Sequence, residues 1–141
     1  MVEFEPVVPR ARLGFILPSS NRMLEPQIHY FVPDGVVPHF NRIGMTGRHR
    51  APLQDLMPRI VLAAELLGDA RCDAIVLQCT GTSMSGGVDG EQDIIRAMGE
   101  ATGCPVLTTA TALNAALGAL GANRLVFVSE TTQPGHDRKL A

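Results

Sequence analysis

Two rhythms of apolar residues alternate along this chain. Short unbroken runs at residues 12–18, 74–79, 104–109 and 124–129 have the length and β-branched content of buried strands. Between them, apolar positions recur every three or four residues. Leu56, Ile60, Ala63, Ala64 and Leu67 make one such stripe within 53–68, which Gly68 closes, and Ile94, Ile95 and Met98 make another within 91–102, stopped by Gly103. Residues 23–31 predict a helix opened by Ser19-Ser20-Asn21, and residues 111–120 one that Thr111 caps and Gly121 ends. Residues 36–43 read as a strand that Pro38 confines to a sheet edge, followed by a loop over 44–52. Pro58 fits the helix at 53–68 only near its first turn.

This alternation predicts an α/β fold: a three-layer sandwich with a mostly parallel sheet of about five strands, flavodoxin-like or Rossmann-like, with right-handed crossovers and helices on both faces. The strand over 74–77 is continuous enough to be buried on both faces. At 141 residues and 45% hydrophobic content the chain suits one such unit. We expect an N-terminal extension over 1–11, a single lobe over 12–129 and a short tail over 130–141. A buried last strand calls for a covering helix that the tail is too short to form, so the expectation is a partner chain or a further segment.

Composition narrows the function classes. The net charge is −2 and the basic residues are scattered except at Arg48-His49-Arg50, which argues against a nucleic-acid surface. No apolar run reaches the length of a membrane span and the acidic start does not look like a signal peptide, so a cytoplasmic protein is expected. Cys72, Cys79 and Cys104 match no zinc or disulfide spacing and read as free thiols, and His29, His39, His49 and His136 are too dispersed to clamp a metal. Aromatic content of 4% without Trp speaks against a large planar cofactor. Residues 81–90 contain neither the dinucleotide nor the Walker glycine spacing.

The chemistry concentrates where the run 74–77 ends in Gln78-Cys79-Thr80-Gly81-Thr82-Ser83. Ligands of open α/β sheets lie outside the carboxyl ends of the strands, and this segment offers a thiol, hydroxyls and close-approaching backbone N–H groups there. Inward N–H groups at the start of a helix suit a carboxylate and also stabilise a thiolate. Ser20 and Asn21 end the first strand in the same way. Each candidate has a plainer reading: Cys79 as a small buried hydrophobe, Ser20 and Asn21 as a helix cap, Thr82 and Ser83 as partners for loop amides. Cys72 and Cys104, at the inlets of their strands, read as structural. His39 and Arg42 border the second strand, either as carboxylate attractors or as solvated edge groups, and Met45, Met57, Met84 and Met98 read as fillers.

Gly14-Phe-Ile-Leu-Pro-Ser-Ser-Asn21, Gln78-Cys-Thr-Gly-Thr-Ser83 and the stretch from Ala101-Thr-Gly-Cys-Pro-Val to Gly121 together resemble the aspartate/glutamate racemase superfamily, in its maleate isomerase and arylmalonate decarboxylase branch. The resemblance covers nearly the whole chain. It implies a two-lobed protein with the active site in the cleft between lobes, of which this chain is the first lobe, and hence a homo-oligomer or a missing second lobe. It implies a cofactor-independent isomerase or racemase of the maleate cis-trans isomerase kind, acting on a small carboxylate or dicarboxylate through Cys79. Ser20, Asn21, Thr80, Gly81, Thr82, Ser83 and Thr131 would bind the substrate, Thr131 standing where the branch often has a tyrosine. A second register aligns Gly81-Thr82-Ser83 with the decarboxylase oxyanion loop, which leaves Cys79 a neighbour. The alternatives are thus a decarboxylase-like lyase or a catalytically incomplete lobe that binds a small anion.

Overall fold

The computed structural model describes residues 8–126 together with 128, 133, 136 and 137. Its organising strand is β1 (Ala11–Pro18), which pairs along its whole length with β2 (Val36–Ile43) and over residues 13–16 with β3 (Ala74–Leu77). The far edge of β3 takes β4 (Val106–Thr108). Every pairing is parallel, and the order is β2-β1-β3-β4. Helices α1 (Leu24–Phe31), α2 (Leu53–Asp69), α4 (Gly87–Thr102) and α5 (Thr109–Ala119) follow the four strands in turn, with a single turn, α3 (Thr80–Ser83), between β3 and α4. Pro38 lies in β2, an edge strand, where its missing N–H costs no central ladder bond.

Two apolar clusters of unequal size sandwich the sheet. On one face Leu56, Ile60, Ala63, Ala64 and Leu67 of α2 and Ile94 and Met98 of α4 close over Ile16, Ile75 and Leu77. These are the stripes read from the sequence except for Ile95, which is half-buried and joins neither cluster. On the other face Leu24 and Ile28 of α1 cover Phe15, Leu17, Phe40 and Val76, with the Phe15 and Phe40 rings stacked 5.6 Å apart. Residues of β3 therefore alternate, Ile75 and Leu77 fully buried and Ala74 and Val76 only half-buried, which corrects the expectation of a strand buried on both faces.

Four further expectations change in detail. The third strand stops at Leu77 instead of Cys79, because the carbonyl of Cys79 turns away to accept the Ser83 N–H at 2.9 Å. Pro58 sits within α2, beyond its first turn, and is exposed, so the Gln54 carbonyl it leaves without an intrahelical donor faces water. Helix α5 starts at Thr109, capped by Thr108, whose hydroxyl accepts from the Thr111 N–H at 3.1 Å. The Glu91 carboxylate also accepts from Thr111 N at 3.0 Å and from the hydroxyls of Thr108 and Thr111, anchoring α5 to α4. Last, among the described residues the sheet has four strands: residues 124–126 lie outside it with Val126 exposed, while residues 127 and 129 lie outside the described residues.

Candidate active site

The carboxyl ends of β1, β2 and β3 meet at one end of the sheet, and the segments leaving β2 and β3 form a cleft of about 340 Å³ there. One wall is Cys79, Gly81, Thr82 and Ser85; the other is the β2–α2 loop with Met45, Thr46, Gly47, Arg50 and Ala51, and Leu56 of α2 also lines it. Cys79 is the N-cap of α3 with extended backbone (φ −158°, ψ 100°), which carries the chain from strand direction into a helical turn. Its side chain is buried, 8% exposed, yet borders the cleft. The Thr82 hydroxyl donates to Cys79 Sγ at 3.2 Å, a contact that strengthens when the sulfur carries negative charge.

The remaining hydroxyls of this segment divide between cleft and backbone. Ser83 is fully buried, and its hydroxyl donates to the carbonyls of Cys79 at 3.0 Å and Thr80 at 3.2 Å, so it holds the turn together and does not line the cleft. The Ser85 hydroxyl donates to the Thr82 carbonyl at 2.8 Å from the cleft wall. Thr80 is half-buried, with its carbonyl taken by Met84 N and Ser83 Oγ. The amides of residues 80–82 precede the first bond closed within the turn and have no backbone acceptor there.

Asn21 takes the helix-capping role read for it and adds a structural tie to the β3 end. Its Oδ1 accepts from the N–H groups of Met23 and Leu24, both at 3.0 Å, capping α1, while its Nδ2 donates to Gln78 Oε1 at 3.3 Å and ties the β1 loop to the residue before Cys79. Ser20 is hydrogen-bonded to Thr46 across 3.1 Å, joining the β1 loop to the β2 loop that forms the cleft wall. Neither Ser20 nor Asn21 lines the cleft itself. Arg42 reaches the same loop: it pairs with Glu25 at 2.8 Å and donates to the carbonyls of Ser19 and Asn21, a positioning role. His39 lies mid-strand opposite Gly14, away from the strand end, and its Nε2 is buried with no hydrogen-bond partner among the described residues. Thr131 lies outside the described residues.

Cys72 and Cys104 stand at the inlets of β3 and β4, at the opposite end of the sheet from the cleft. Burial pushes the Cys72 thiol above its ordinary range, helped by Cys104 and Asp73 and opposed by Arg12. Among the described residues no three or more His, Cys, Asp or Glu side chains gather as a metal set, and no helix is long and apolar enough to cross a membrane. Sequence reasoning missed Thr46, Arg50 and Ser85. The signal for the first two was the rule already applied to the other strands, since the β2–α2 loop also leaves a strand by its carboxyl end, beside β1.

Residues 13–136 match the family model described as arylmalonate decarboxylase. Among solved structures, a cysteine-to-alanine variant of the maleate isomerase Iso from Pseudomonas putida S16 with maleate is similar at 26% identity and a TM-score of 0.78, over 92% of this chain and 56% of that one. A cysteine variant of arylmalonate decarboxylase associated with sulfate matches at 24% identity and a TM-score of 0.79, over 90% of this chain and 54% of that one. A Nocardia farcinica maleate cis-trans isomerase variant holding a covalently bound succinylcysteine intermediate matches at 24% identity and 0.79, over 93% and 57%. The chain thus spans a little over half the length of these structures. No curated protein gives a significant match.

Proposed function

The chain belongs to the arylmalonate decarboxylase family, and from that premise we propose that it is the cysteine-bearing lobe of a cofactor-independent isomerase acting on a small carboxylate. The observation that carries this reading is the Cys79 thiol at the cleft wall with the Thr82 hydroxyl directed at its sulfur. As a thiolate, Cys79 would add to a carbon–carbon double bond conjugated with a carboxylate. The sulfur–carbon bond forms as the π bond breaks, its electron pair passing to the carbon beside the carboxylate. Rotation about the resulting single bond and expulsion of the thiolate restore the double bond in trans geometry, with no net change in protons or electrons. Charge developing on the carboxylate would be met by the amides of residues 80–82, close to Thr82. The succinylcysteine described for the Nocardia farcinica enzyme is the same sulfur–carbon adduct with a proton added to its carbanion.

A decarboxylase is the reading the family's description favours, with Thr82 and Ser83 as oxyanion donors and Cys79 a bystander. It is the weaker one here because the Ser83 hydroxyl is committed to two carbonyls. The test follows loss of maleate absorbance with the wild-type chain beside Cys79→Ser, with the oligomeric state read by light scattering on the same samples. The expected result is turnover that disappears in the variant. Equal turnover in both would remove Cys79 from the reaction. An inert but folded wild-type chain would make a binding-only lobe the better account.

A further inference from the structure

The β2–α2 loop gives the cleft a positive charge of its own. Gly47, at φ +59°, opens a 3-10 turn over Gly47–His49 that closes through Arg50 N to Gly47 O at 3.1 Å. The turn sends neighbouring residues to opposite sides. His49 lies over Gly44, so close that a Cβ there would come within 2.9 Å of the ring, and lines a separate groove with Arg59, Leu62 and Leu66. Arg50, the next residue, lines the cleft that holds Cys79. Other basic groups nearby are engaged: Arg42 with Glu25, Arg59 with the Gly44 carbonyl, and Arg48 with His49 at 3.2 Å. The Arg50 guanidinium has no hydrogen bond or ion pair among the described residues, and no aspartate or glutamate lines the cleft.

We infer that Arg50 is a specificity-determining residue, receiving a second acidic group at the far end of a ligand whose first carboxylate lies against the Cys79 wall. The inference rests on the carboxylate-site reading above and adds to it the residue that tells a diacid from a monoacid. Guanidinium suits this task because its fork of N–H donors matches a carboxylate edge to edge. The site is open to water, so the gain is that of an exposed pair, up to about fivefold in affinity, and salt weakens it.

Protection of Cys79 from the neutral reagent iodoacetamide measures binding without turnover. The modified peptide is quantified by mass spectrometry in the presence of succinate or of butyrate, which has the same chain length and one carboxylate. Succinate is expected to protect the wild-type chain at a several-fold lower concentration than butyrate. That preference should vanish in Arg50→Gln, persist in part in Arg50→Lys, persist fully in Arg48→Gln and shrink in high salt. A circular-dichroism spectrum and urea midpoint matching the wild type show that Arg50→Gln has kept the fold, and protection is compared as the ratio of rates with and without ligand within each variant. If both acids protect the wild type equally, or the preference survives Arg50→Gln, or Arg48→Gln abolishes it as well, the role of Arg50 is overturned while the carboxylate site stands. If neither acid protects the wild type, the carboxylate site and the inference fall together.

Discussion

Asn21 and Cys72 show what single side chains outside the cleft wall contribute here. Asn21 caps α1 through Oδ1 and steadies Gln78 through Nδ2, so Asn21→Ala should cost about 1 kcal/mol in chemical denaturation and also loosen the approach to Cys79. Asn21→Asp, which retains the capping oxygen, should recover most of that stability. For Cys72 the consequence is a pH dependence. Its thiol titrates above the ordinary range when folded, so the unfolded chain loses this proton first as pH rises. The folded state then holds more protons than the unfolded state, and stability falls. The contribution is complete below the ordinary thiol value and is lost as pH climbs through the raised one. Urea midpoints at pH 7 and pH 9.5 should therefore differ more for the wild type than for Cys72→Ala.

At the scale of elements, the single turn α3 decides where the thiol sits, and its junction with α4 leaves little room. A Cβ added at Gly86 would lie 2.8 Å from the Gly90 Cα, backbone that cannot swing aside, whereas one at Gly81 meets open space without a positive φ. Gly86→Ala should accordingly cost about 1–3 kcal/mol in a denaturation titration and Gly81→Ala well under 1. The long helices were legible because Leu56, Ile60, Ala63, Ala64 and Leu67 repeat with the helical period over enough residues to stand out. Thr80-Gly-Thr-Ser83 does not: it is barely one helical turn long, so no repeat can show, it is poor in helix formers, and it is helical because the Cys79 carbonyl takes both the amide and the hydroxyl of Ser83. The same limit hid Arg50. A cluster of basic residues at 48–50 is visible in the sequence, but which one turns into the cleft depends on Gly47 and on the place His49 finds over Gly44.

For the molecule as a whole, the two apolar clusters set a gradient of stability. The α2 and α4 side holds Ile60, Ile75, Leu77, Ile94 and Met98 fully out of water, so Ile60→Ala should cost about 2–5 kcal/mol. Helix α5 buries only Ala110, and its amides should exchange with deuterium much faster than those of α2 in a mass-spectrometric time course. Parallel pairing and the edge position of β2 could be read from the alternation of runs and from Pro38. The expected fifth strand is not seen among the described residues of 124–129, and composition alone does not decide it, because such a run looks like a strand whether or not a sheet edge receives it. The parallel arrangement has one more consequence. Since every strand runs toward the cleft, the turns that feed the strands gather at the other end. The exposed Asp34, before the eight-residue β2, is thereby separated from the cleft by roughly 25 Å. A support attached through that turn would hold every copy of the protein in one orientation, with the chemistry facing outward.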